Sequence, residues 1–218
     1  MSVRNRSISE DIRAYKRDAI LDVALELFFE RGYVGTTVDA VAERLSVSKP
    51  FIYSYFRSKG DILIAVYETL MNKIIALLDE AIDLDGPPSE RFRKFIYEFS
   101  KENMQSQMIA SVFLQEEKHL DASYVASIRR RQGEFDSKLR DLIQEGIKSG
   151  EFDVPDASLA AMGVTGMVRW IQRWYRPDGR YSVDYIATMF SDMALRAVGF
   201  TGAMGMPEVL AKSGDGDA

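Results

Sequence analysis

The side chains best suited to chemistry in this chain are hydrogen-bond donors set among aromatic rings near residue 50. The segment LSVSKPFIYSYF covers residues 45–56, and Lys49 and Arg57 flank its crowded part. Five large side chains occupy six consecutive positions there: Phe51, Ile52, Tyr53, Tyr55 and Phe56. Tyrosine hydroxyls and a lysine ammonium group can donate to phosphate oxygens, and an exposed ring can contact a thymine methyl group. The segment therefore predicts contact with a nucleic acid.

The sequence lacks the usual catalytic and metal-binding patterns. It contains no cysteine, which excludes disulfides and thiolate metal sites, and its single histidine, His119, lacks the His-x-x-x-His spacing of a zinc helix. Glu116 and Glu117 are adjacent, so a helix directs them to different sides and they form no catalytic pair. No Ser/His/Asp set, phosphate-binding loop or dinucleotide fingerprint is present. We expect no catalytic residue, metal or cofactor, a protein that is not an enzyme, and His119 at the surface or between helices.

The composition is that of an ordinary globular chain. Its 218 residues are 46% hydrophobic and 28% charged, which is usual for globular proteins. No apolar run approaches the roughly 20 residues needed to cross a bilayer, and the N-terminus lacks the apolar core of a secretory signal. Residues 1–60 carry ten Lys or Arg and eight Asp or Glu, whereas residues 61–218 carry 18 and 25. We expect a cytoplasmic bacterial protein with no membrane partner, whose mildly basic end meets a polyanion.

Hydrophobic periodicity predicts helices throughout, and no segment alternates like a strand. The first helix is expected to start at a capping box formed by Ser7 and Glu10 and to stop at Gly32. Its apolar stripe consists of Ile20, Ala24, Leu27 and Phe28. Further helices are expected over about residues 36–45, 49–55, 61–85, 89–105, 107–119, 121–149, 156–175 and 182–200. The sequence therefore predicts an all-α fold.

The short helices at the N-terminal end predict a helix-turn-helix. The turn between the second and third helices is only two residues long, as in motifs whose second helix lies in the DNA major groove. Ile52 and Phe56, four residues apart, can then pack inward against the second helix. The side chains left on or near the outside are those of Lys49, Phe51, Tyr53 and Tyr55.

Residues 15–75 resemble the TetR family of bacterial transcriptional regulators. The matching parts are Phe-x-x-x-Gly-Tyr at the end of the first helix, Thr-Thr-Val at the start of the second, Val-Ser-Lys in the turn, and Tyr-x-Tyr-Phe-x-Ser-Lys after it. The resemblance implies a homodimer whose N-terminal domains read a palindromic operator in double-stranded DNA. It also implies a C-terminal domain that binds a small-molecule effector and releases the DNA. The predicted DNA-binding residues are Thr36, Thr37, Ser46, Ser48, Lys49, Pro50, Phe51, Tyr53, Ser54, Tyr55 and Lys59.

The resemblance divides the chain into four parts. Residues 1–14 are expected to form a flexible basic arm, and residues 15–60 a three-helix DNA-binding domain. Residues 61–200 are expected to form a six-helix domain for ligand binding and dimerisation. Residues 201–218 end in KSGDGDA, which is too small and polar to pack, so they predict a mobile tail.

Three features depart from the usual family pattern. Ser46 stands where the family has glycine, so we expect the turn to accept left-handed backbone strain. Pro50 and Phe51 replace small residues at the start of the recognition helix, and Ser54 stands where histidine or another ring is frequent. Because these changes affect base-contacting positions, the operator sequence cannot be taken from a relative.

Some residues admit two interpretations. Lys59 is either a solvated lysine or a phosphate contact. Tyr53 is either a core residue or an exposed contact, and we favour the exposed contact because of its polar tip, whereas we expect Phe56 in the core. The basic residues of the arm are either a disordered tail or minor-groove readers, and Lys16 and Arg17 lie close enough to the domain to touch the DNA backbone.

The last two helices predict a dimer interface. Gly163 and Gly166 let another helix approach closely, and Met167 lies near the same face. In a TetR-like protein these helices pair with their twofold mates in a four-helix bundle. Packing inside one subunit explains any single residue equally well, but the pair of helices as a unit favours the interface.

The segment RWIQRWYRPDGRYSVDYI, residues 169–186, suggests an effector class. Its Trp-Tyr-Arg-Pro-x-Gly turn resembles the branch of the TetR family that responds to acyl-coenzyme A thioesters. Arginines there could meet phosphates, and methionine and aromatic side chains could line an acyl channel. Solvated arginines and ordinary core residues explain the same pattern equally well. The predicted ligand-binding residues are Met104, Met108, Phe113, Arg169, Trp170, Arg173, Trp174 and Arg176.

The sequence thus predicts a TetR-type repressor that an effector, of the acyl-CoA thioester class, releases from a palindromic operator. The alternative is a helical small-molecule-binding protein whose DNA-binding head is non-functional. The retained Lys49, Tyr53, Tyr55 and Lys59 favour the first interpretation.

Overall fold

The computed structural model describes the backbone of residues 3–202 and the side chains of residues 8 and 10–202. In this range the chain forms nine α-helices, one short 3-10 helix and no strand, which confirms the predicted all-α fold. The helices are α1 (Val3–Gly35), α2 (Val38–Arg44), α3 (Lys49–Tyr53), α4 (Lys59–Ile82), α5 (Pro88–Gln105), α6 (Gln107–Glu116), the 3-10 helix (Glu117–His119), α7 (Ala122–Ser149), α8 (Ala157–Trp174) and α9 (Val183–Ala197). Most of the predicted tail lies outside the described residues.

Some helix ends differ from the predicted ones. α1 is already helical at Val3, so the predicted capping box at Ser7 is wrong, and residues 3–14 of the predicted flexible basic arm are helical. Gly32 has φ 72 and ψ 166 inside α1, a conformation that is essentially restricted to glycine. The predicted stop at Gly32 therefore corresponds to a kink near the end of α1. α3 and α9 end slightly earlier than predicted.

Close contacts divide the chain into two compact units. The first contains the residues up to Leu70 together with Met108–Ser127, and the second contains Met71–Gln107 and the residues from Ile128 onward. The first unit is therefore larger than the predicted domain 15–60, because it includes the start of α4 and the segment around α6. α4 contributes residues to both units.

Apolar stripes of the short helices form the core of the first unit. Ile20 and Leu27 of α1, Val41 of α2 and Ile52 of α3 are at most 1% exposed, and Phe56 is 5% exposed. The predicted inward packing of Ile52 and Phe56 is thereby confirmed. Burying a side chain of this size stabilises the fold by about 1.5–3 kcal/mol, which fixes α3 firmly on its inner face.

The turn between α2 and α3 is closed by a residue in the left-handed region. Ser46 has φ 55, and its N–H donates to the carbonyl oxygen of Glu43 at 3.0 Å. The N–H of Val47 donates to the carbonyl oxygen of Ala42 at 2.9 Å. These bonds satisfy the last carbonyls of α2 as a left-handed C-terminal cap does. The strain predicted at Ser46 is confirmed.

Phenylalanine rings form the centre of the second unit. Phe95 and Phe99 of α5 and Phe135 of α7 are fully buried, and the ring centroids of Phe99 and Phe135 lie 5.7 Å apart. α5 also packs along α9, where Arg93 and Asp192 form an ion pair with an N to O distance of 2.6 Å. This packing holds α8 and α9 on one side of the unit.

Candidate nucleic-acid interface and effector site

The first residues of α2 and α3 lie next to each other and carry exposed polar groups. Lys49 begins α3, and its Nζ donates to the carboxylate of Asp39, in the first turn of α2, at 2.8 Å. That hydrogen bond, with the charge of Asp39, raises the pKa of Lys49. The side chain of Lys49 is 46% exposed and that of Asp39 64% exposed. An exposed ion pair contributes little to stability, so a phosphate can displace Asp39 from Lys49.

The two hydroxyl groups that cap α2 and α3 belong to the same surface. Thr37 Oγ1 accepts from the N–H of Ala40 at 3.1 Å, and Ser48 Oγ accepts from the N–H of Phe51 at 3.3 Å. Both residues are exposed. Because each hydroxyl uses an oxygen lone pair for the cap, its proton can still be donated to a phosphate oxygen.

Tyr53 is the most exposed ring of α3. It is 46% exposed, which agrees with the interpretation that it is a contact residue. Ser46, Pro50 and Ser54 are exposed as well. Ser54 Oγ donates to the carbonyl oxygen of Phe51 at 2.7 Å, so it offers only acceptor positions to a partner while that bond persists.

The sequence suggested that Phe51 and Tyr55 lie exposed on the outer face of α3, but the structure does not place them there. Both are half-buried and pack against the core of the first unit, with their ring centroids 5.3 Å apart. Basic side chains of α1 lie over them: Arg13 is 5.6 Å from the centroid of Tyr55, and Lys16 is 5.9 Å from that of Phe51. These rings therefore join α3 to α1. The prediction that they are free to contact DNA is wrong, because basic side chains of α1 cover them.

Thr36 is a structural residue and cannot reach DNA. It is 0% exposed, and its hydroxyl lies 2.9 Å from the carbonyl oxygens of both Leu27 and Gly32. The hydroxyl therefore supplies a donor to carbonyls at the kinked end of α1, where regular helix bonds are lost. The DNA contact predicted at Thr36 is wrong because the side chain is enclosed.

Lys59 also turns inward, which neither interpretation of the sequence anticipated. Its Nζ donates to the carbonyl oxygens of Tyr33 at 2.5 Å and of Thr36 at 2.8 Å, and it lies 4.2 Å from the ring centroid of Tyr33. Burial lowers the pKa of Lys59, and the charge of Glu116 opposes that shift. A cation at the carboxyl end of a helix stabilises that end. Lys59 is thus assigned to the end of α1 instead of to a phosphate.

A polar cavity of about 240 Å³ lies beside Lys59 within the first unit. The His119 ring stacks on Tyr33 with centroids 6.0 Å apart, and its Nε2 lies 3.6 Å from the carboxylate of Glu116. Tyr124 donates to Asp61, and this bond raises the pKa of Tyr124. The cavity is lined by Tyr33, Ser58, Lys59, Gly60, His119, Leu120, Asp121 and Tyr124. These contacts tie the end of α1 to the start of α4 and to the 3-10 helix.

The predicted ligand residues fall in both units. Met108 and Phe113 belong to the first, where the Phe113 ring stacks on Tyr67 with centroids 3.9 Å apart. In the second unit, Met104 is buried at 4% exposure, and Trp170 and Trp174 are 63% and 42% exposed. Nothing in the structure tests these residues as a ligand site, and their role stays a prediction.

The arginines of the segment are placed along α8 and just beyond it. The guanidinium of Arg169 lies 5.9 Å from the ring centroid of Phe135, and that of Arg173 lies 5.9 Å from that of Trp170. Arg176 is exposed after the end of α8. The sequence did not single out Gln107, whose Nε2 donates at 3.0 Å to the carbonyl oxygens of both Gln172 and Tyr175. Gln107 thereby fixes the turn that follows α8.

α8 has apolar residues on two opposite faces. Ala161, Val168 and Ile171 are buried inside the unit, whereas Leu159 and Met162 are 65% and 59% exposed. Gly163 and Gly166 lie on the outer side, where an added Cβ would meet no atom within 4 Å, and Met167 is half-buried. Packing inside the subunit therefore does not explain these glycines.

The described part of the chain contains neither a metal-binding cluster nor a membrane-spanning helix. Among the described side chains, those of residues 8 and 10–202, no group of three or more His, Asp or Glu is arranged to bind a metal ion. Among these residues, no helix is both long and apolar enough to cross a membrane.

Comparisons with known proteins cover both ends of the chain. Residues 20–66 match the family described as bacterial regulatory proteins, tetR family, and residues 85–198 match the family described as tetracyclin repressor-like, C-terminal domain. The transcriptional repressor KstR2 of Mycolicibacterium smegmatis is 26% identical over 192 residues, which cover 85% of this chain and 91% of that protein.

Solved structures give the same result. The TetR family regulator PfmR from Thermus thermophilus superposes with a TM-score of 0.73 at 29% identity, covering 81% of this chain and 97% of that one. AibR in complex with isovaleryl coenzyme A and operator DNA superposes with a TM-score of 0.68 at 26% identity, covering 81% and 96%. With a matching helix-turn-helix and a matching C-terminal region that spans more than half of the chain, the protein belongs to the TetR family of DNA-binding transcriptional regulators.

Proposed function

We propose that the protein is a homodimeric repressor that binds a palindromic operator and is released from it by an acyl-CoA thioester. The observation that carries the DNA-binding part is the exposed surface at the starts of α2 and α3. There Lys49 and Tyr53 face outward while Ile52, between them in the same helix, is 0% exposed. A buried anchor beside exposed donors is what a recognition helix requires, because the helix must stay rigid while its outer side chains contact DNA.

Contacts to the DNA divide into two kinds in this proposal. Lys49, Thr37 and Ser48 donate to phosphate oxygens, which positions α3 in the major groove but carries no sequence information. Tyr53, Pro50 and the neighbouring positions of α3 meet base edges and supply sequence preference. Arg13 and Lys16 of α1 lie beside the same helix and add positive charge near the backbone.

The outer face of α8 supports the homodimer. Leu159, Met162 and Trp170 are each more than half exposed, and Gly163 and Gly166 leave room for a close helix approach. Exposed apolar side chains of this size, grouped on one helix, mark an interaction surface. Twofold pairing of α8 and α9 would place two helix-turn-helix domains on the two halves of a palindrome.

Charge and aromatic character on α8 support the effector class. Arg169, Arg173 and Arg176 can bind the phosphates of coenzyme A, and Met104, Trp170 and Trp174 offer apolar surface to an acyl chain. AibR, a structural relative, is known with isovaleryl coenzyme A. The effector must bind the DNA-incompetent arrangement of the dimer more tightly than the competent one, because only such a difference shifts the equilibrium. α4, which contributes to both units, is the proposed transmitter.

The proposal is tested by a mobility-shift titration with DNA from upstream of the gene for this protein. The wild-type protein should retard this fragment and not a scrambled fragment of equal length. Acyl-CoA thioesters of short, long, aromatic and steroid-derived acyl groups are then added, with free CoA and the free acids as controls. One thioester should release the DNA, whereas free CoA and the corresponding free acid should not. Failure to bind any upstream fragment would favour the alternative, a helical binding protein whose DNA-binding head is non-functional.

A further inference from the structure

Two buried polar side-chain atoms lack a hydrogen-bond partner among the described residues: Nε of Arg91 and Oγ1 of Thr165. The Arg91 guanidinium is otherwise well used, because its remaining nitrogens donate to the carbonyl oxygen of Ile82 and to the carboxylate of Glu145. The hydroxyl of Thr165 is the only polar group of its side chain. Thr165 on α8 is therefore the residue whose burial the fold alone does not explain.

Other hydroxyl groups within helices of this chain have a hydrogen-bond partner in their own helix. Thr69, Ser100 and Ser191 each donate to the carbonyl oxygen four residues earlier, at 2.9, 2.7 and 2.5 Å. This back-bond is the usual fate of serine and threonine inside helices. Thr165 is 7% exposed and does not form it. A buried hydroxyl without a partner destabilises the folded state, and the Thr165 hydroxyl is available to an added partner.

The position of Thr165 indicates where such a partner would enter. Arg169 follows Thr165 by one turn of α8, so the two side chains lie on the same flank of the helix. Arg169 is half-buried, and its guanidinium lies 5.9 Å from the centroid of the fully buried Phe135 ring. This side of α8 thus carries the cation of Arg169 nearer the surface, with the Phe135 ring beside it. The unpaired hydroxyl of Thr165 lies one turn away.

We propose that Thr165 donates a hydrogen bond to the thioester carbonyl oxygen of the effector. This inference rests on the proposed effector class, and it names the protein donor for one effector atom, the carbonyl oxygen. The thioester carbonyl of an acyl-CoA joins the polar pantetheine arm, which leads to the phosphates, to the apolar acyl chain, so it lies at the inner end of the polar part of the ligand. Once enclosed, the carbonyl oxygen needs a donor, and the Thr165 hydroxyl supplies one.

The test pairs a change in the protein with a change in the ligand. An S-alkyl coenzyme A thioether of equal chain length lacks only the carbonyl oxygen of the active thioester. Wild-type protein should bind the thioester about tenfold more tightly than the thioether, as expected for one buried hydrogen bond. Thr165→Val, which removes the hydroxyl at nearly constant shape, should bind both ligands equally. Thr165→Ser, which keeps the hydroxyl, should retain most of the preference.

A second measurement separates ligand recognition from a structural role. Ligand-free Thr165→Val should melt at the same temperature as the wild type or a few degrees higher, because an unpartnered buried hydroxyl has been removed. A clearly lower melting temperature would indicate that Thr165 is bonded within the chain, which overturns the inference.

The ligand assay has two further outcomes that contradict the inference. If wild-type protein binds thioester and thioether equally, or if Thr165→Val keeps the wild-type preference, Thr165 does not read the carbonyl although the effector class stands. If the wild type binds no acyl-CoA thioester at all, the effector class itself fails, and this inference fails with it.

Discussion

The ammonium group of Lys49 lies 2.8 Å from the carboxylate of Asp39, and this ion pair joins the start of α3 to the start of α2. The two side chains are both exposed, so the pair is readily exchanged for other partners. In the proposed interface we expect Asp39 to compete with a DNA phosphate for Lys49.

Substitutions of Lys49 and of Asp39 should have different effects on DNA binding. Lys49→Ala should weaken operator binding roughly ten- to a hundredfold and reduce the salt dependence, because a phosphate contact is lost from each head. Asp39→Asn should leave binding unchanged or tighten it, because the competing carboxylate is removed. Fluorescence anisotropy at several salt concentrations measures both, with the exposed Lys148→Ala as the control. Tighter binding by Lys49→Ala would contradict the assignment.

The dimer surface is tested by a pair of glycines that are equally unobstructed within one subunit. Gly163 in α8 and Gly133 in α7 are both helical positions where an added Cβ meets no atom within 4 Å. Gly163→Leu should overpack the contact with the partner and raise the dimer dissociation constant at least about tenfold. Gly133→Leu should leave it unchanged. Sedimentation at micromolar concentration measures both, and an unchanged Gly163→Leu dimer would exclude this face of α8.

Replacing Ser46 by glycine should stabilise the protein. The left-handed region costs a non-glycine residue about 1–2 kcal/mol, and glycine loses about 0.5–1 kcal/mol of that gain to chain entropy. We therefore expect Ser46→Gly to raise the free energy of unfolding by about 0.5–1 kcal/mol in urea titrations. Ser46→Val should lower it, because a β-branched residue tolerates this conformation least. A destabilised Ser46→Gly would contradict the backbone conformation of the turn.

The bond between α5 and α9 predicts a defined pH dependence. Tyr97 donates to Asp184 at 2.6 Å, and this bond raises the pKa of Tyr97 to about 12 and lowers that of Asp184. Since an unfolded tyrosine titrates at a pKa near 10, the stabilisation is fully present below about pH 10 and is lost as the pH rises through about 12. It is also lost at acidic pH as Asp184 becomes protonated.

Tyr97→Phe measures that contribution directly. Because Asp184 is largely exposed, we expect a loss of only about 0.5–1 kcal/mol in the free energy of unfolding at neutral pH. The difference from the wild type should stay constant between about pH 5 and 9, and should shrink above about pH 10. Urea titrations across this range measure it. A difference that grows at the alkaline end would show that the bond does not hold the tyrosine proton.

Local periodicity was sufficient to predict some parts of the fold and the site. Ile52 and Phe56 are four residues apart, and that spacing alone places both on the buried side of α3. The strain at Ser46 followed from a position where the family has glycine. Tyr53 remained the exposed ring because no other described element covers that side of α3.

Long-range contacts account for what the sequence did not predict. Phe51 and Tyr55 are covered by Arg13 and Lys16 of α1, which are distant from them in the chain. Lys59 is held by the carbonyl oxygens of Tyr33 and Thr36 at the end of α1, residues that are distant from it in the chain. His119 stacks on Tyr33, a ring far away in the chain, and no local pattern encodes that contact.

The most direct test of the account is operator binding by the double variant Lys49→Ala/Tyr53→Phe, measured by anisotropy at fixed salt beside the wild type. Both side chains are exposed, so the variant should melt like the wild type and sediment as the same dimer. We predict that the wild type binds its upstream fragment at least about a thousandfold more tightly than scrambled DNA. We predict that the double variant loses most of that preference. A folded double variant that binds the operator like the wild type would show that α3 is not the surface that reads DNA.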